Sequence, residues 1–277
     1  MVVSERKNVI WLSDCWKDEY PTRLIGGKAK NLGILKRNRF NCPDGFVVST
    51  SVQVRYDGER FAHQDRQAIM DAYHYLTCYV AVRSSGVKED GDEESMAGKF
   101  STFVYIFGDT NLLLNIRKCY ESGPGTQMAV VVQRMVNPVC AGVMFTTSPF
   151  SWDDGKTLIE GSWGLGSIVV DGMVVPDTFK CDTTGMAKNE KELGKKAMKR
   201  FLTDSNIVMG LPTTAEEQES FILTDVQVFE LSRIGKNIEK VYSRPMDVEW
   251  LLDEDGMFHI VQARPLTTIL SEFSMSG

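Results

Sequence analysis

Two runs of strict alternation around a turn confine a chain to one hydrogen-bonded arrangement, and residues 244–265, RPMDVEWLLDEDGMFHIVQARP, have that form. Met246, Val248 and Trp250 alternate with Asp247, Glu249 and Leu251, DEDG at 253–256 supplies turn residues, and 257–264 alternates again. This is the pattern of a β-hairpin. Side chains two apart share a face of a strand, so Asp247 joins Glu249 and Gln262 joins Arg264. A register that pairs Leu252 with Met257 sets Asp247 opposite Gln262, with Glu249 nearby on the same face and His259 on the other. Two carboxylates beside an amide and a guanidinium suit a metal–polyphosphate site, where carboxylates hold Mg2+ and the arginine neutralises charge during transfer. The same four residues also suit the wet face of a half-exposed hairpin, and the hairpin alone favours that plainer reading.

With 277 residues, 43% hydrophobic and 25% charged, the chain has material for one large domain or two associated lobes. A net charge of -6 argues against a nucleic-acid partner, which calls for a basic face. The N-terminal MVVSERKNVIW has no apolar h-region, and runs such as MAVVVQ fall far short of the ~20 residues that cross a bilayer. A cytoplasmic protein with no membrane partner is expected. The six cysteines are scattered without a CxxC, which points to buried thiols rather than zinc or disulfides.

DEYPTRLIGGKAKNLGILKRN reads as a turn relaxed by Gly26 and Gly27, then a helix with Leu32 and Leu35 on its apolar face. Lys28 stands at that helix start, where a lysine beside free N–H groups can meet phosphate oxygens. Ala29 occupies the Ser/Thr position of a Walker A loop, so GGK by itself is also what a solvated lysine gives. A helix over 67–76 leads to a strand TCYVAVRSS ending at Arg83, Ser84 and Ser85. The glycine-bounded acidic loop 86–98 reads either as a mobile cover for a ligand or as a solvated hairpin loop. ESGPG at 121–125 breaks the chain, and the lobe boundary is placed there. Beyond it MAVVVQRMV reads as a buried central strand and AGVMFTTSPF as a second. Glu160 lies on a further strand beside a glycine turn, placed to meet a ribose or a metal, or simply water. Residues 190–204 read as an exposed lysine-rich segment, and 214–238 as one long amphipathic helix.

In this order GGKAKNLGIL, PDGFVVST, VRSSGVKEDGDEESMAG, MAVVVQRMV with GVMFTTSP, IEGSWGLG with VPDTF, and MDVEW with VQARP resemble the N-terminal nucleotide-binding domain of the phosphoenolpyruvate synthase and pyruvate phosphate dikinase family. The resemblance spans almost the whole chain. It implies an α+β, bilobal, ATP-grasp-like fold with mixed or antiparallel sheets and a nucleotide cleft, divided here as 1–125 and 126–277. It further implies that Lys28 and Arg83 reach the ATP phosphates, that the loop carrying Gly98 closes over them, and that Gln133 and Met135 lie at the adenine end. Asp247 and Glu249 would hold Mg2+, Gln262 and Arg264 would contact the transferring phosphoryl group, and Glu160 would make a nucleotide or metal contact.

The function so implied is an ATP-dependent phosphotransferase of pyruvate, water dikinase type, using ATP and Mg2+. Its acceptor would be a histidine domain in trans or a small molecule. A non-catalytic ATP-binding regulatory module and an ATP-grasp ligase forming an acyl-phosphate remain as alternatives. There are departures from the family pattern. His63, His74 and His259 do not resemble the phosphoryl-carrying histidine loop, Ser167 follows GLG where glutamate is usual, and the region between Ile106 and Met128 lacks the usual Tyr-Arg segment.

Overall fold

The computed structural model describes residues 8–56, 58, 60–87, 101–123, 125, 127–147, 155–182, 190–202 and 208–266. Most of the acidic loop, including Gly98, lies outside them. The described chain forms two compact units that divide between Met135 and Val136.

The first unit runs β1 (Val9–Trp11), α1 (Thr22–Arg37), β2 (Gly45–Val48), α2 (Thr50–Arg55), α3 (His63–Leu76), β3 (Val80–Gly86), β4 (Thr102–Ile106), α4 (Asp109–Glu121) and β5 (Met128–Arg134). Its five strands form one antiparallel sheet in the order β1-β2-β5-β3-β4. The apolar run MAVVVQ has no alternation because β5 is the central strand, covered on both faces. On one face Val130 and Val132 join Phe46 and Val82 against Ile69 and Leu76 of α3 and Leu112 and Ile116 of α4. Burying each such side chain contributes ~1.5–3 kcal/mol, so Leu112→Ala would cost ~2–5 kcal/mol. On the other face lies α1, which packs on β2, β3 and β5. Because β5 is interior to this sheet, the division of the chain falls after Met135 and not at the ESGPG break. Gln133 and Met135 therefore belong to the first unit.

The second unit continues with β6 (Pro138–Phe145), β7 (Thr157–Trp163), α5 (Ser167–Val170), β8 (Asp177–Cys181), β9 (Glu190–Glu192), β10 (Met198–Leu202), β11 (Val208–Pro212), α6 (Ala215–Glu219), α7 (Asp225–Tyr242), β12 (Met246–Asp253) and β13 (Phe258–Pro265). Six strands make a second antiparallel sheet, β13-β12-β6-β7-β8-β9, while β10 and β11 pair as a separate hairpin. Helix α7 packs on β6, β7, β8 and β12, over a face formed by Met246, Val248, Trp250, Ile260 and Ala263, each at most 1% exposed.

Two expectations for residues 190–238 fail. The helix expected over 214–238 is two helices, each opened by a threonine capping box, Thr214 with Glu217 and Thr224 with Gln227. Between them the Asp177 carboxylate accepts the Ile222 N–H at 2.8 Å, an alternative partner that ends the first helix. The lysine-rich 190–204 segment is not simply exposed, since Lys196 is fully buried with its ammonium 2.5 Å from Asp177.

Candidate functional site

The closing hairpin forms, in a different register from the one expected. Its turn end pairs Leu252 with Phe258 and Leu251 with His259, after which a bulge at Val261 sets Glu249 opposite Gln262 and Asp247 opposite Arg264. The turn shifts the pairing by one residue and the bulge by another. Two shifts restore the parity, so Asp247, Glu249, Gln262 and Arg264 share the face turned away from α7. Between the shifts the parity is reversed, which corrects the placement of His259. It lies opposite Leu251 on the carboxylate face, with Nε2 2.6 Å from the Asp253 carboxylate.

Neighbouring strands extend this face. Glu249 pairs across to Val143, Val143 to Glu160, and Glu160 to Thr178, so one row of the sheet reads Gln262, Glu249, Val143, Glu160, Thr178. Strands stand ~4.8 Å apart, which puts the main chains of Glu249 and Glu160 about 10 Å apart. The adjoining row reads Arg264, Asp247, Phe145, Leu158, Lys180. Acidic and amide groups thus border an apolar strip, with a lysine beyond it. Thr178 and Lys180 are additions to the expected set, and the alternation within VPDTFK was the signal for them.

The charges on this face are incompletely balanced. Arg264 donates from Nε to Asp247 at 2.8 Å, and its Nη2 lies at the same distance. Even so, the Asp247 carboxyl is held above the usual carboxylate range: burial is the largest cause, Arg264 opposes it, and Glu249 adds repulsion. Burial likewise raises Glu160. Two crowded, partly desolvated carboxylates fit a divalent cation. Among the described residues no group of three or more His, Cys, Asp or Glu gathers to cage one. Mg2+, which takes one or two carboxylates and fills its octahedron with phosphate oxygens and water, suits such a pair.

The first unit gathers the basic residues. Lys28 on α1 and Arg83 on β3 are each 7% exposed. Gln133, on β5, is 2% exposed and donates its amide to the Pro43 carbonyl at 3.3 Å. The Met135 N–H is taken by the Tyr79 carbonyl at 2.9 Å. Gln133 pairs with Ala81 and Val131 with Arg83, so Gln133 and Arg83 share the face against which α1 packs.

Comparison with known proteins identifies the family. The family described as pyruvate phosphate dikinase, AMP/ATP-binding domain, matches residues 58–125 and 123–275. The chain belongs to that family. A probable phosphoenolpyruvate synthase of Archaeoglobus fulgidus is 32% identical over 95% of this chain, and the match covers 42% of that protein. An uncharacterized phosphotransferase, YvkC, of Bacillus subtilis is 30% identical over 91% of this chain and 34% of its own length. The chain thus spans less than half of these dikinase-family relatives. In fold it is similar to PH1788 of Pyrococcus horikoshii, with TM-score 0.51 and 10% identity over 92% of this chain and 97% of that one. The dikinase-family chain is α+β, with antiparallel sheets in both units. None of its described helices is long and apolar enough to cross a membrane.

Proposed function

We propose that this chain is the Mg-ATP-binding part of an ATP-dependent phosphotransferase, passing a phosphoryl group to a histidine on a separate domain or to a small-molecule acceptor. The observation that carries the reading is the single sheet face bearing Asp247, Glu249, Gln262 and Arg264, on which the Asp247 carboxyl stays above its ordinary range although an arginine touches it. A buried acid in that state is short of positive charge, and a divalent cation would supply it.

In this reading Asp247 and Glu249 would hold Mg2+, which would supply positive charge beside the phosphates. Arg264 orients Asp247 in the resting site and turns its remaining donors toward the phosphoryl oxygens, where charge grows as the group moves. Gln262, 7% exposed and opposite Glu249, fixes that carboxylate and offers an amide donor to a phosphate oxygen. Glu160, in the same row, meets the nucleoside end, and Gln133 and Met135 line the adenine. Lys28 and Arg83 bind phosphate oxygens as fixed cations. Phosphoryl transfer needs little covalent chemistry from the protein, so positioning and charge neutralisation account for the catalysis.

The test is calorimetry or thermal unfolding with Mg-ATP. Stabilisation of ~2.7 kcal/mol is expected at a hundredfold excess over the dissociation constant, and removal of Mg2+ should abolish it. The absence of any shift with ATP at millimolar Mg2+ overturns the reading.

A further inference from the structure

We infer that Ser85 is a positioning residue for Lys28: its hydroxyl, inserted into the hydrogen-bond ladder of α1, starts a new helical segment at the lysine. The inference rests on the nucleotide-binding reading above and concerns how the first unit sets its phosphate-binding cation. Helix α1 contains one non-helical residue, Gly26, at φ 75° and ψ 164°, a conformation open essentially to glycine alone. In an unbroken helix the Ile25 carbonyl would accept the Ala29 N–H. Here the Ser85 hydroxyl stands between them, donating to the Ile25 carbonyl at 3.0 Å and accepting from the Ala29 N–H at 3.3 Å. A side chain inserted in the ladder is a recognised cause of a helix break.

The fit is too close for a relaxed alternative. A Cβ on Gly26 would lie 2.1 Å from the Ser85 carbonyl oxygen and 2.2 Å from its hydroxyl oxygen. Ser85 is fully buried, and it lies two residues from Arg83 on β3, so the two share the face that α1 covers. Lys28 sits inside the spanned turn, between Gly26 and Ala29. One hydroxyl thus ties the strand bearing Arg83 to the turn bearing Lys28, so that the two cations keep a fixed relation.

The alternative is that the break only lets α1 approach the sheet, and a double-mutant cycle on the whole chain separates the two. Mg-ATP dissociation constants are measured by calorimetry for wild type, Ser85→Ala, Ser85→Thr, Lys28→Ala and the Ser85→Ala/Lys28→Ala pair. Ser85→Ala should weaken Mg-ATP binding about tenfold, and Ser85→Thr, which keeps the hydroxyl, should restore it. Without Lys28 the same Ser85→Ala change should weaken binding by no more than about twofold. Should the alanine variant not fold, Ser85→Cys fills the volume with a weakly bonding thiol and should show the same dependence on Lys28. Equal losses with and without Lys28, or wild-type affinity in Ser85→Ala, overturn the inference. A wild-type chain that binds no Mg-ATP overturns the nucleotide-binding reading itself and this inference with it.

Discussion

In the second unit, Asp177 with Lys196 and Asp247 with Arg264 are both pairs of a carboxylate and a cation, yet their surroundings differ at every point. Asp177 and Lys196 are fully enclosed. The Asp177 carboxylate accepts from the Gly194 N–H, the Ile222 N–H and the Lys196 ammonium, and Lys196 also donates to the Gly194 carbonyl. Thr213 closes the knot by donating its hydroxyl to the Lys196 carbonyl at 2.5 Å. Four separated stretches of chain meet there. Asp247 and Arg264 lie instead on the sheet face turned away from α7, with Arg264 37% exposed and Asp247 13%. Burial still outweighs Arg264 in setting the Asp247 charge. A pair whose bonding capacity is used up by the fold acts as an anchor, whereas one that leaves its acid short of positive charge has capacity left for a ligand.

The largest effect that tests this contrast is on stability. Removing one partner of a buried pair costs ~3–5 kcal/mol, so Lys196→Met should lower the thermal midpoint strongly, as seen by calorimetry. A loss within ~1 kcal/mol would remove the anchor from the comparison.

Next in size is Arg264→Ala. Losing a preorganised phosphate contact costs ~10²–10³ in rate, or ~2.7–4 kcal/mol at the barrier, while the half-exposed Arg264 is only partly committed to Asp247 and burial already outweighs it there. Release of AMP or ADP in the presence of an acceptor should therefore collapse, with the melting curve moved less than for Lys196→Met. If melting falls as far as for Lys196→Met, that pair is a second anchor.

The smallest effect is a pH slope. The folded-state pKa of Asp247 is raised, so its contribution to stability is complete below the unfolded value and is lost as pH rises through the folded one. Asp247→Asn removes that loss. Between about pH 4 and pH 7 the stability of wild type relative to the asparagine variant should fall as pH rises, measured by denaturant unfolding without nucleotide. A difference that grows with pH would show that Arg264 already satisfies the acid.

The sequence exposed what depends on near neighbours and hid what depends on distant ones. Alternation revealed the hairpin and the shared face, because parity survives a shift of two residues. It missed the register, since nothing in FHIVQAR marks Val261 as the position of a bulge. The central strand β5 was plain from its unbroken valines. The end of α6 was not, because the apolar period continues through ESFILTDV while the group that captures the Ile222 N–H lies on β8. Lys196 looked exposed for the same reason, its partner being Asp177. Ser85 looks in the sequence like the plain end of a strand, although its hydroxyl bonds to α1 sixty residues away.

The bulge at Val261 makes this hairpin far less tolerant of changes in length than of changes in side chain. The two halves of β13 are in opposite phase: Phe258 and Ile260 enter the core before the bulge and Ala263 after it, while Gln262 and Arg264 point outward. A residue gained or lost at most positions in the strand would exchange the buried and the outward sets along one half. Deleting Val261 alone leaves Trp250 opposite Ile260 and Glu249 opposite Gln262, turning an irregular ladder into a regular one. Gaps in this strand among relatives that keep the outward set are therefore expected at Val261, or in compensating pairs.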